Sequence, residues 1–130
     1  MTQTANARFA IKSWDEKPYS EDGGVKLSRA SVTKTYTGDI DGEGHIEYLM
    51  MYTGDGSATF LGLERFVGRL AGKSGSFVLQ RTGVFEGGLA KESYSVVAGS
   101  GTGELHGLSG NGHSSVGHGM EHPFTLNFEP

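Results

Sequence analysis

The chain has 130 residues, a formal net charge of −4 and no cysteine, which suits one domain, 1–130, around one core. The missing cysteine excludes disulfides, thiolate chemistry and cysteine-based zinc sites, and Lys and Arg are spread too singly to build a face for nucleic acid. No apolar run approaches the ~20 residues of a spanning helix, and the N-terminal stretch does not read as a secretory signal, so the expectation is a cytoplasmic protein with no nucleic-acid and no membrane partner.

The strand signals follow one another along the chain. "ARFAIKSW" alternates Phe9 and Ile11 against Arg8 and Lys12, and Trp14 and Glu16 close this first strand. "VKLSRASVTKTYTG" is rich in Val, Thr and Tyr, residues that favour strands. "HIEYLMMYTG" and "SATFLGLERFVG" flank Asp55-Gly56, and "GSFVLQRTGVFE" and "LAKESYSVVAG" flank Gly87-Gly88; both dipeptides are hairpin turns. A shorter strand is expected over Gly103–Leu108 and another through Gly112–Val116. "PFTLNFE" alternates Phe124, Leu126 and Phe128 against Thr125 and Asn127. No segment keeps a helical period beyond about two turns. The sum is an all-β chain of about eight strands, a single antiparallel barrel, because closure removes exposed edges. A two-sheet β-sandwich is the alternative.

Glycine is the compositional outlier, with 22 residues against 3 prolines. Part of it recurs as a pattern. "GDIDGEG" at Gly38, "GRLAGKSG" at Gly68 and "GELHGLSG" at Gly103 each follow a strand-like run and place one aliphatic residue, Ile40, Leu70 or Leu105, between glycines. This predicts strands that bend at glycine, with the aliphatic residue plugging a barrel end. The "GKS" of the second copy resembles the end of a phosphate-binding loop, but the spacing puts Val67 where that motif needs its first glycine. A strand, not a helix, follows it, so the anion site is missing.

The pieces "FAIKSWDEKPY", "LSRASVTKTYTGDIDGEG", "IEYLMMYTGDG", "GLERFVGRLAGKSGSFVLQRTG" and "VVAGSGTGELHGLSGNG" together resemble a bacterial family of small uncharacterised proteins assigned an allene-oxide-cyclase-like barrel. The last piece is also similar to the glycine-rich strand turns of allene oxide cyclases and dirigent proteins. The resemblance implies an eight-stranded antiparallel barrel and no particular activity. No site residue is carried over from it.

The hairpins give registers. A two-residue turn at Asp55-Gly56 pairs Gly54 with Ser57 and, counting outward, Glu47 with Glu64 on an apolar face shared with Phe60. Two carboxylates opposed inside a barrel repel, so one keeps a proton or a cation such as Arg81 sits with them; the first arrangement suits acid/base isomerisation or cyclisation. The competing reading is a slipped register with one glutamate in solvent. The same register turns Tyr48, Met50, Leu61 and Leu63 outward, which predicts a homo-oligomer interface. The Gly87-Gly88 turn sets Arg81 opposite Tyr94. Either Arg81 or Gln80 faces the interior, where it would polarise a substrate oxygen. Trp14 is expected at the barrel rim, as packing or as ligand contact. His106, His113, His118 and His122 are expected in a solvated, glycine-rich stretch without a metal. The candidate site is therefore Glu47 and Glu64 as catalytic carboxylates, with Trp14, Phe60, Gln80, Arg81 and Tyr94 around a small hydrophobic or amphipathic ligand. No cofactor is required. The alternatives are a non-catalytic binding barrel, or a barrel filled by Phe9, Phe60, Phe77, Phe124 and Phe128.

Overall fold

The computed structural model of the chain describes residues 2–117 and 121–130. His118 of the histidine-rich stretch lies outside the described residues. Eight strands follow in chain order: β1 (Gln3–Asp22), β2 (Val25–Gly38), β3 (Ile40–Tyr52), β4 (Ala58–Leu70), β5 (Lys73–Glu86), β6 (Leu89–Val96), β7 (Ser109–Val116) and β8 (Glu121–Glu129). Each pairs antiparallel with its chain neighbours, and β8 returns to β1, so the sheet is a closed barrel. Along most strands buried and exposed residues alternate, as in β4, where Ala58, Phe60, Gly62, Glu64 and Phe66 face in.

Glycine pairs make the tight turns. Gly23-Gly24 and Gly87-Gly88 have positive φ at both positions, and so do Ala71 and Gly72 between β4 and β5. That is the type I′ geometry, whose twist suits a two-residue hairpin. β1 does not end at Trp14. It continues to Asp22 along β2, with register shifts between Ile11 and Ser13 and between Pro18 and Ser20.

The β3–β4 hairpin differs from the sequence expectation by one residue. Its turn is not the two residues Asp55-Gly56, because the strands end at Tyr52 and resume at Ala58. The Asp55 carboxylate accepts hydrogen bonds from the Thr53 hydroxyl at 2.7 Å and the Ser57 amide at 3.0 Å. Gly54 and Gly56 flank it at φ 87° and 88°. The wider loop pairs Ile46 with Glu64 and Glu47 with Leu63. One slipped residue flips a strand face, so Glu47 points outward, and Tyr48 and Met50 pack inside. Leu61 and Leu63 are exposed on the outside, as expected, and Leu49 joins them there. The β5–β6 register matches the sequence reading, with Arg81 opposite Tyr94.

The interior has two unequal ends. One end is packed solid by Ile40, Phe66, Leu70, Phe77, Leu79, Leu105, Leu108 and Phe128. Ile40 and Leu70 are paired neighbours on β3 and β4 and, like Leu105, they plug this end as their glycine setting predicts. The Gly103 copy is no strand, however. Gly103–Leu105 is one turn of 3-10 helix, with Gly103 at φ 60° and Gly107 at φ 83°. Left-handed backbone at both positions breaks a ladder, and the turn lies across the start of β5. There Glu104 accepts a hydrogen bond from the Ser74 amide at 2.9 Å. A carboxylate thus occupies the place a phosphate would need, and Lys73 and Ser74 are exposed.

Candidate functional site

A polar layer crosses the barrel between the two ends. Arg81 on β5 is buried to 1% exposure and Glu64 on β4 to 0%. The Arg81 guanidinium donates to Glu64 through Nε at 2.6 Å, to Glu92 on β6 through Nη1 at 2.7 Å and to the Tyr36 hydroxyl through Nη2 at 3.0 Å. The Tyr36 hydroxyl donates onward to the second Glu64 oxygen at 2.7 Å, and the Tyr48 hydroxyl donates to Glu92 at 2.9 Å. Local sequence makes room for this network. A Cβ on Gly44 would lie 2.0 Å from a Glu64 oxygen, and one on Gly62 would lie 2.8 Å from the Tyr48 ring. Arg81 also lies over the rings of Tyr94 and Phe124, at 5.0 and 5.5 Å from their centroids.

Beyond this layer the barrel is open. A cavity of about 320 Å³ is lined by Ile11, Trp14, Met50, Phe60 and Phe85, with Lys34, Tyr48, Tyr52, Glu92 and His122 among its polar groups. Lys34 is the unusual one. It alternates inward on β2 between Val32 and Tyr36 and is 4% exposed. Its Nζ lies 4.1 Å from the centroid of the Phe9 ring and, among the described residues, has neither hydrogen bond nor ion pair. No fully enclosed side-chain nitrogen or oxygen of the described residues lacks a partner. The unpartnered Lys34 amine therefore opens onto the cavity.

The electrostatics separate these groups. Burial lowers the Lys34 pKa from 10.5 to about 8, helped by the Arg81 charge and opposed by Glu64 and Glu92. Burial opposes charge on Glu64 as well, but Arg81, Lys34 and the Tyr36 hydrogen bond outweigh it and hold that carboxyl below its usual range. Burial, then the Glu64 charge, pushes the Tyr36 hydroxyl well up. Glu64 is thus a committed anion and Arg81 a committed cation, whereas Lys34 changes charge close to neutral pH.

The residues read from the sequence separate into three groups. Glu64, Arg81 and Tyr94 meet in the polar layer, and Phe60 and Trp14 line the cavity. Trp14 is half-exposed at the rim, its ring 6.2 Å from that of Tyr48 and its indole N–H donating to Glu16 at 3.0 Å. Glu47 and Gln80 lie on the outer surface, beside Leu49, Leu61 and Leu63. The opposed Glu47/Glu64 pair does not form, because the β3 register places the two on opposite sides of the wall. Outside, hydrogen bonds from Ser31 and His45, with Arg29, hold the Glu47 carboxyl at about 2. Arg81, not Gln80, faces the interior. Of the histidines, His106 and His113 are exposed, and His122 is buried against Phe9 in the cavity wall. Among the described residues no three His, Asp or Glu side chains converge as a metal site would need. Sequence reasoning missed Lys34, Tyr48 and Glu92. The available signal was parity: Lys34 alternates with Ala30, Val32 and Tyr36, and Glu92 with Tyr94.

Among the described residues no helix is long and apolar enough to cross a membrane. No functionally curated protein matches the chain. A crystal structure of a protein of unknown function from Shewanella oneidensis MR-1, of the DUF3224 family, is similar over 100% of both chains, with 31% sequence identity and a TM-score of 0.83. The model of the same family, described as a protein of unknown function, matches residues 5–128. The chain therefore belongs to the DUF3224 family.

Proposed function

We propose that the open end of the barrel binds a small amphipathic molecule. Its apolar body lies between Ile11, Met50, Phe60 and Phe85, and an oxygen of its head group accepts a hydrogen bond from Lys34. The observation that carries this reading is the Lys34 amine, almost removed from water yet without a partner at an apolar cavity wall. A buried polar group without a hydrogen bond is costly, so such a group is kept where something else satisfies it. The cavity volume of about 320 Å³ falls at the small end of the range for small-molecule sites. The reading is a binding barrel first. Glu64 has no role as a moving proton, because Arg81 and Tyr36 already engage both of its oxygens.

Trp14 is the only tryptophan and lines the cavity, so its fluorescence reports occupancy directly. Octanoate and octan-1-ol share a chain length and differ in the head. The expected result is that octanoate binds about tenfold or more tighter, as a charge-assisted hydrogen bond supplies. In Lys34→Met that preference vanishes while octan-1-ol still binds. Equal affinities for the two in the unaltered protein, or a preference that survives in Lys34→Met, contradicts the proposal.

A further inference from the structure

We infer that Lys34 is a carbonyl-reactive amine, and that the ligands suited to this pocket include small apolar aldehydes or ketones held as an imine on its Nζ. The inference rests on the binding site proposed above and names the chemistry of its ligand.

Three features of the geometry converge. The amine lines the mostly apolar cavity at the open end of the barrel, where the carbonyl carbon of a bound ligand can reach Nζ. Among the described residues no carboxylate is within hydrogen-bond or ion-pair distance of the amine. It also shares the interior with a second cation, Arg81, which is fixed by its own partners. Desolvation and a neighbouring cation are the two devices that activate a lysine as a nucleophile. Both lower the affinity of Lys34 for its proton, to a pKa of about 8. The groups that face Lys34 are Tyr36 on its own strand, Tyr48 on β3, Glu64 on β4, Arg81 on β5, Glu92 on β6 and His122 on β8.

The step balances without any oxidant or reductant. The neutral Nζ attacks the carbonyl carbon, a C–N bond forms, and the carbonyl π electrons move to oxygen, which takes up a proton as the now cationic nitrogen releases one. The carbinolamine then loses its hydroxyl as water and its nitrogen proton to solvent, which leaves the C=N bond. One carbonyl compound and one amine give one imine and one water. His122, in the cavity wall, is placed to relay the proton that the departing hydroxyl needs. The Tyr48 hydroxyl is already committed to Glu92.

The test is reductive trapping with octanal and cyanoborohydride at pH 7, followed by intact mass measurement and peptide mapping. The chain has six lysines, so the five others are internal controls. At pH 7 about a tenth of an amine with a pKa of 8 is neutral, against far less than a hundredth of an ordinary lysine. The expected result is an adduct, of the mass of octanal less one oxygen, on Lys34, resolved by peptide mapping from any on the α-amine and formed at least tenfold faster than on any other lysine. Lys34→Met abolishes it. Trp14 fluorescence is followed in the same samples. If octanal changes Trp14 fluorescence but Lys34 labels no faster than the exposed lysines, the imine inference is overturned and the binding site stands. If octanal, octanoate and octan-1-ol all leave Trp14 unchanged and Lys34 is not labelled preferentially, both are overturned.

Discussion

The packed end and the open end of this barrel are made from the same strands, yet they hold opposite interiors. At the packed end Phe66 and Phe77 meet at 5.0 Å between centroids, and Ile40, Leu70 and Leu105 seal the bottom. At the open end Phe9 and Phe60 line space instead of filling it. The same contrast holds for the two buried cations. Arg81 is surrounded by two carboxylates and a tyrosine, and Lys34 by an aromatic ring and a cavity. The lesson is that burial alone does not mark a site. A buried charge with all its partners reads as structural, whereas a buried charge missing its partner is what makes the open end the candidate site.

The sharpest way to break this contrast is to remove Arg81. Arg81→Met leaves Glu64 buried with no guanidinium, and the expected loss is about 3–5 kcal/mol in chemical denaturation. Adding Glu64→Gln is expected to restore part of it, since the charge left stranded is then gone. A double variant no more stable than Arg81→Met would mean that the pair is not a coupled unit.

Lys34→Met should act in the opposite direction. The folded-state pKa of Lys34 is depressed from 10.5 to about 8. Between those values the unfolded chain binds more protons, so stability rises with pH across this window. Below pH 8 the folded protein bears the full cost of the buried charge, about 3 kcal/mol. Lys34→Met removes that cost, so the variant is expected to be more stable at pH 7, with the advantage shrinking as pH rises from about 8 toward 10.5. Under the proposed binding role, such a gain is the usual trade of stability against function. Denaturant unfolding of both proteins at neutral and alkaline pH checks it. A pH-independent difference would point to packing instead.

Gly44→Ala probes the space that the polar layer needs. Its methyl group would meet the Glu64 carboxylate at 2.0 Å, and overpacking of this kind costs about 1–3 kcal/mol. Thermal unfolding measures it, and a neutral result would show that the carboxylate can move aside. The smallest effect belongs to Glu47→Gln. Glu47 is outside, bound to Arg29 and His45, and exposed pairs contribute less than about 1 kcal/mol. Its substitution is expected to leave both stability and ligand affinity close to unchanged, and a large loss of affinity in the fluorescence titration would return it to the site.

The barrel was legible in the sequence because its signals are local. Gly87-Gly88 set a correct register, and alternation in β4 and β8 showed which face is apolar. The glycine-flanked Ile40, Leu70 and Leu105 marked the plugged end, although the Gly103 stretch turned out to be a 3-10 turn. The site was legible only in part. Glu64, Arg81 and Tyr94 emerged from strand pairing, but one turn residue decided the fate of Glu47 and Tyr48. An Asp55 side chain that bonds both Thr53 and Ser57 widens the loop, and Gly54 beside Gly56 was the clue to it. Lys34 was legible only through its parity with Ala30, Val32 and Tyr36. A lysine within "VTKTY" reads as an exposed residue, and only barrel closure turns its face inward.

The account depends most directly on the state of the Lys34 amine. In protein labelled with carbon-13 at the lysine ε-methylene, the Lys34 signal, assigned by its loss in Lys34→Met, can be followed from neutral to strongly alkaline pH. The account predicts a titration midpoint near 8, well apart from the other lysines. A midpoint at the ordinary 10.5 would contradict it, because the amine would then be paired or in water and not held, partnerless, at the cavity wall.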